Sequence, residues 1–90
     1  SSAASDVYKR QQMLSELGFE KDVIERVSFL VGHHHTYTGI DGLDYQILVE
    51  ADFLVNLFEG NTDTAHIRAT YDNIFRTETG KKICREMFGL

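Results

Sequence analysis

The sequence predicts an all-α fold, a small bundle of about four or five helices. The 90 residues include no proline, the residue that most strongly disrupts helix interiors, and they are rich in helix-forming Leu and Glu. Several segments repeat apolar residues at the helical period of 3.6, whereas no segment of useful length alternates with the period of two that is typical of strands. The hydrophobic content of 42% is ordinary for a globular protein and argues against disorder.

Size and charge narrow the classes of function. A chain of this length is one small domain or part of a larger one. Cys84 is the only cysteine, so no disulfide within the chain is expected, and a reducing, cytoplasmic setting fits. The net charge of −5 argues against a nucleic-acid partner. The N-terminus has no apolar segment like that of a signal peptide, and no apolar run approaches the roughly 18–20 residues of a membrane span, so no membrane association is expected.

The first eleven residues, SSAASDVYKRQ, differ in character from the rest. They resemble a translated sequencing adapter, a contaminant at the ends of genes assembled from environmental DNA. We therefore interpret residues 1–11 as a non-native segment and residues 12–90 as the domain. The alternative is a genuine polar tail. The adapter interpretation leads to the expectation that the gene is interrupted at its 5′ end and that upstream residues are missing.

Two helices are predicted before the middle of the chain. Met13 to Leu17 can finish a helix that Gly18 ends. The next helix is predicted over Glu20 to Val31, with Gly32 as its C-cap and a loop from His33 to Ile40. Its expected apolar face is formed by Val23, Ile24, Val27, Leu30 and Val31.

The third helix is the clearest in the sequence. Asp41 is the predicted N-cap, Asp44 lies three residues later in a box-like arrangement, and Gly60 follows the helix. Its predicted apolar face is formed by Ile47, Leu48, Ala51, Leu54, Val55 and Phe58.

Two further helices complete the prediction. The fourth runs from roughly Asp63 to Phe75, and the fifth begins at a cap formed by Thr77 or Thr79 and ends near Phe88, although Gly80 disfavours it. The residues expected to be buried on these two helices are Ala65, Ile67, Tyr71, Ile74, Phe75, Ile83, Cys84, Met87 and Phe88.

Asp52 is the first candidate for chemistry, because it lies beside the apolar face of the third helix. One interpretation is a carboxylate at the edge of the core, bonded to a backbone N–H or a basic side chain. In the other, Asp52 and Asn56, one turn apart, line a shared polar pocket. The same pair could also mark the solvent edge of the helix.

Three consecutive histidines, His33 to His35, are the second candidate. Imidazole binds divalent metals and transfers protons near neutral pH. Consecutive loop residues point in different directions, so one or two of them, rather than all three, are expected to bind one ion. The alternative is a loop with one packed ring and two solvated ones. The run matches neither HExxH nor paired CxxC motifs.

The remaining candidate side chains give weaker indications of function. Cys84 is expected to be a packed small hydrophobe rather than a nucleophile. The basic residues towards the C-terminus could meet a phosphate, but their spread is more typical of a solvated face. These are Arg68, Arg76, Lys81, Lys82 and Arg85.

Two strings carry a resemblance to a known family. RVSFLVGHHHTYTGIDGLDYQILVEADFLVNLFE, from Arg26 to Glu59, and NIFRTETGKKICREMFG, from Asn73 to Gly89, resemble the C-terminal half of HD-domain proteins. That superfamily comprises helical, metal-dependent phosphohydrolases. The resemblance covers most of Met13 to Leu90 and implies that the chain is a fragment of an HD-domain fold.

The resemblance also implies roles for individual residues. The family's metal site takes a histidine from an early helix, an adjacent His-Asp pair and a final aspartate from a later helix. Asp52 matches the final aspartate, and His34 and His35 match histidines that bind a second metal or contact phosphate in some members. The implied metal ligands are thus Asp52, His34 and His35, and the two histidines are also the implied catalytic residues. The ion would be Mn²⁺, Fe²⁺, Ni²⁺, Co²⁺, Zn²⁺ or Mg²⁺.

This chain departs from the family pattern because it contains no His-Asp dipeptide. We expect the missing ligands upstream of Gln12, so the intact parent would hydrolyse a small phosphorylated substrate and this fragment would be inactive. The alternative function is a non-catalytic helical module for protein interaction, whose exposed core face favours self-association. A third interpretation is a metal-binding or pH-responsive histidine element without hydrolysis.

Overall fold

The protein is all-α, as predicted, in the residues that its computed structural model describes. These are residues 2–90, with side chains from residue 8 onward, and they form five helices and no strand. The helices are α1 (Ser2–Glu16), α2 (Lys21–His33), α3 (Leu43–Glu59), α4 (Thr64–Ile74) and α5 (Glu78–Phe88). None of them combines the length and apolar character that crossing a membrane requires. The chain divides into two compact units, Ser1–His35 and Thr36–Leu90, which are described separately.

The first unit contains α1 and α2. Ser1, the first residue of the segment interpreted as non-native, lies outside the described residues. Gly18 follows α1 with a φ of 87°, which confirms the predicted stop, since glycine adopts this left-handed conformation without steric cost. The prediction that Gly32 caps α2 was wrong. The helix continues through Gly32 to His33, because a glycine inside a helix is tolerated at a cost of only about 1 kcal/mol.

The second unit begins with a loop that packs against α3. The Tyr45 hydroxyl donates to the Thr36 carbonyl at 2.6 Å, and the rings of Tyr37 and Phe53 lie 4.8 Å apart. The predicted N-cap Asp41 was wrong. Gly42 occupies that position with a φ of 92°, and the Asp44 carboxylate accepts a bond from the Tyr45 N–H at 2.8 Å.

The buried side of α3 differs from the predicted one. The residues that α3 buries are Tyr45, Val49, Glu50 and Leu57. Most of the predicted apolar face is exposed instead, and Phe58 on it is 71% exposed. Leu48 and Leu54 of that face are half-buried, and Leu54 packs against the core. Helix α3 is apolar on nearly all sides, so the helical period alone does not distinguish the inner side from the outer one.

The core of the second unit joins α3, α4 and α5. Its buried members are Leu57, Ile67, Phe75 and Cys84. The predicted burial of Ile67, Phe75 and Cys84 is thereby confirmed. Ala65 was predicted to be buried but is exposed, and Thr70 is buried on the same helix instead. Ile83 and Met87 of α5 were also predicted to be buried, but they are 39% and 44% exposed.

Side-chain caps set the starts of the last two helices. Asp63 accepts from the His66 N–H at 2.8 Å and caps α4. Thr77 accepts from the Gly80 N–H at 2.9 Å and caps α5, as predicted. In both caps the N–H of the third helical residue donates to the side-chain oxygen of the N-cap residue.

Candidate functional site

The three histidines stand at the C-terminal end of α2. His33 is helical, so the predicted start of the loop at this residue was wrong, and its Nδ1 lies 2.8 Å from the Phe29 carbonyl oxygen. Its ring stacks on Phe29 with centroids 4.1 Å apart. His33 is therefore held along the helix by its own preceding turn.

His34 and His35 follow as a pair of neighbouring rings. Their centroids are 3.9 Å apart, His34 is half-buried and His35 is exposed. The Nδ1 atom of His34 lies 2.7 Å from the Val31 carbonyl oxygen. A carbonyl only accepts, so this bond makes Nδ1 the protonated nitrogen and leaves the lone pair of the neutral ring on Nε2. Histidines that bind metals are commonly oriented by this kind of bond.

Asp52 lies on α3, in the other unit. It is half-buried, and Asn56 donates to its Oδ2 from one turn later at 3.3 Å. Asn56 itself is exposed, so the pair occupies the edge of the helix rather than an enclosed pocket. A carboxylate oriented by an amide suits a metal ligand, because ligating carboxylates usually accept further hydrogen bonds.

Glu50, two residues before Asp52, is the most buried charged side chain in the described part of the chain, at 2% exposure. Its Oε2 accepts from Gln46 Nε2 at 2.7 Å and from the backbone N–H groups of Arg76 and Thr77 at 3.0 Å each. Its Oε1 accepts from the Thr77 hydroxyl at 2.6 Å. Glu50 thus connects the middle of α3 to the start of α5.

These bonds determine the protonation state of Glu50. Burial raises the pKa of the carboxyl, but the bonds from Thr77, Gln46 and the Arg76 amide lower it by more. The pKa therefore lies below its ordinary value of 4.5, and Glu50 is an anion at neutral pH. The N-terminal end of α5, with its partial positive charge, also favours that anion.

Gly80 makes room for this carboxylate. An added Cβ at Gly80 would overlap Glu50 Oε1 and lie 2.8 Å from Thr77 Oγ1. In a capping box the third residue of a helix is often a glutamate that reaches back to the N-cap N–H. Here glycine stands at that place, and Glu50 from α3 accepts the N–H of Thr77 instead.

A shallow groove lies above Glu50, between α3 and α5. It has a volume of about 360 Å³ and apolar walls, and Glu50 and Thr77 lie at its base. The side chains that form its walls include Leu43, Ile47, Ala51, Leu54 and Ile83.

Most of the basic residues near the C-terminus bind other groups of the protein itself. The Arg76 guanidinium donates to the carbonyl oxygens of Asn73 at 2.7 Å and Phe75 at 3.0 Å, at the end of α4. Arg85 donates to the Tyr71 hydroxyl at 2.7 Å, and Lys82 pairs with Glu86 at 3.9 Å on the surface. Cys84 is buried as predicted, and burial raises the pKa of its thiol, which disfavours a nucleophilic role.

Comparisons with models of protein families, with curated proteins and with solved structures found no match to this chain.

Proposed function

We propose that this chain is part of a metal-dependent phosphohydrolase in which Asp52 and His34 bind a divalent cation. The proposal rests on the resemblance of the histidine segment and the Glu50-Ala51-Asp52 helix to HD-domain proteins. The observation that supports it most directly is the bond from His34 to the Val31 carbonyl, which leaves Nε2 as the basic nitrogen. A mixed nitrogen and oxygen donor set suits Mn²⁺, Fe²⁺, Ni²⁺, Co²⁺, Zn²⁺ and, with more oxygen ligands, Mg²⁺.

Each residue has a separate role in this proposal. The Asp52 carboxylate, oriented by Asn56, offers an anionic oxygen ligand. His34 offers Nε2, while the more exposed His35 offers a second ligand or a donor to a phosphate oxygen. A bound cation would lower the pKa of a water molecule and polarise a phosphoryl oxygen of a small phosphorylated substrate. The family's early histidine and its His-Asp pair would have to come from additional sequence.

Metal binding can be tested on the 90-residue chain with Mn²⁺, whose unpaired electrons broaden nearby proton resonances. We expect Mn²⁺ to broaden the His34 and His35 ring signals weakly, and we expect Asp52→Asn to reduce this broadening. Asp72→Asn, on the exposed surface of α4, is the matched control and should leave it unchanged. Equal broadening in the Asp52→Asn variant and the unmodified chain would remove Asp52 from the proposed site.

The catalytic part of the proposal needs the complete gene. Its reading frame should encode an upstream histidine and a His-Asp pair, and Asp52→Ala in the intact protein should abolish metal-dependent phosphatase activity. A complete frame that lacks both motifs, or full activity in the variant, would contradict the proposal.

A second candidate function is a helical module that binds another protein through α3. The observation that favours it is the outward apolar face of that helix, on which Leu43 and Phe58 are both more than half exposed. Exposed apolar surfaces of this kind commonly mark interaction sites.

A further inference from the structure

The outward side of α3 carries a row of apolar residues that is self-complementary. Leu43, Ile47, Leu54 and Phe58 lie within about 60° of one another around the helix, at roughly 100° per residue. Leu43, Ile47 and Phe58 are more than half exposed, and Leu54 is half-buried at the edge of the core. Going along the chain, the steps between them are four, seven and four residues, so the row is the same in both directions. Two antiparallel copies of α3 would therefore place Leu43 against Phe58 and Ile47 against Leu54.

The shape of the surface fits the same pairing. Phe58 protrudes, with 71% of its surface exposed, and Leu43 and Ile47 border the groove between α3 and α5. Ala51 lies near the centre of the row, where a small side chain allows two helices to approach closely. A two-fold axis beside Ala51 would bring the protruding Phe58 of each copy over the groove of the other. Such a contact is closed, because the same patch is used on both copies.

The exposed area is sufficient for a pair. The large apolar side chains along this side of α3 and the neighbouring part of α5 expose on the order of 600 Å² in total, which is the upper end for a patch on a monomer. Two copies would then bury about 1,200 Å² of apolar surface, the lower limit for a specific interface. The residues that contribute most are Leu43, Ile47, Val55, Phe58, Ile83 and Met87.

We propose that this face of α3 binds a second copy of the chain, with the two α3 helices antiparallel and Phe58 of each copy against Leu43 and the groove of the other. The inference deepens the second candidate function and is independent of the metal site. Dimerisation and metal binding are measured separately, so either can fail alone.

Sedimentation equilibrium of the 90-residue chain, with a charge-exchange pair, tests the arrangement. The unmodified chain should form dimers that dissociate on dilution. Leu43→Lys or Phe58→Glu alone should weaken dimerisation at least about tenfold, because each places a charge against an apolar residue of the partner. The double variant Leu43→Lys with Phe58→Glu should restore it to within about threefold, since each lysine then meets a glutamate across the axis.

Three controls accompany these measurements. Leu43→Lys with Phe58→Lys should remain monomeric, and Phe19→Glu, at an exposed phenylalanine of the first unit, should dimerise normally. Far-ultraviolet circular dichroism should be unchanged in every variant, because the altered residues are exposed. A monomer at every concentration would overturn the proposal and leave the face to a different polypeptide. Failure of the Lys–Glu double variant to dimerise better than the single variants would overturn the antiparallel register.

Discussion

Replacement of Glu50 by alanine should destabilise the second unit more than any surface change on α3. The substitution removes an acceptor that receives four hydrogen bonds, two of them from the backbone N–H groups of Arg76 and Thr77. These groups lie at the junction of α4 and α5, where they donate to a carboxylate that is itself only 2% exposed. Alanine offers them no replacement partner.

The size of the expected destabilisation follows from the hydrogen-bond donors that the substitution leaves unpaired. A hydrogen bond to a charged group contributes about 1.5–3 kcal/mol, and a buried donor without an acceptor costs about 1–3 kcal/mol. The terms are not additive, and the variant no longer buries a charge. We therefore expect a loss of about 3–5 kcal/mol, comparable to breaking a buried ion pair. That loss approaches the whole stability of a small domain, about 5 kcal/mol.

Urea denaturation followed by circular dichroism at 222 nm measures the effect, with the near-ultraviolet signal of the buried Tyr45 as a second probe. Glu59→Ala, at the exposed end of the same helix, is the matched control and should change stability by no more than about 0.5 kcal/mol. Should Glu50→Ala be unfolded, Glu50→Gln still provides a measurement. Its amide oxygen can accept the two N–H groups, so a loss of about 1–2 kcal/mol is expected. A Glu50→Ala variant within 1 kcal/mol of the unmodified chain would refute the reasoning.

Three further predictions concern neighbouring groups. Gly80→Ala should lower the free energy of unfolding, measured by urea denaturation, by at least about 2 kcal/mol, because its Cβ overlaps Glu50. Gly32→Ala, in open space inside α2, is the control and should be neutral or stabilising by up to about 1 kcal/mol. Similar values for the two variants would contradict the packing of Gly80 against Glu50. Since the pKa of Glu50 is lowered on folding, its contribution should be complete above pH 4.5 and should disappear as the pH falls through the folded-state pKa. Denaturation midpoints between pH 3 and pH 7 check this. An equal loss of stability at acid pH in the Glu50→Gln variant would assign the effect to other carboxylates. Cys84 should react with a thiol reagent only as fast as the protein opens, since it is fully buried; rapid reaction with the native protein would contradict its burial.

The helices themselves were largely predictable from local chemistry. Gly18 ends α1 and the Thr77 cap begins α5, because these signals act within a few residues of the chain. The predicted N-cap of α3 was one residue too early, since Asp41 and Gly42 are both acceptable N-caps and the sequence does not distinguish between them.

Glu50 shows what the sequence did not reveal about the site. Its burial does not follow from the sequence, because its partners, Arg76 and Thr77, are 26 and 27 residues away. Two signals were present: a charged residue one position from an apolar face, and a glycine at the third position of a well-capped helix. Each is weak alone, and only the packing of α5 against α3 connects them.

The bonds made by Glu50 also set the rotation of α3 about its own axis. A helix that is apolar on nearly every side loses little hydrophobic energy when it turns, so burial of apolar surface does not select one orientation. A carboxylate with four directed donors does select one, because a rotation of even a few tens of degrees breaks those bonds. Glu50 points inward, and Asp52 lies about 200° further around the same helix. The direction of Asp52 and the outward position of Phe58 therefore both depend on one buried side chain elsewhere on the same helix.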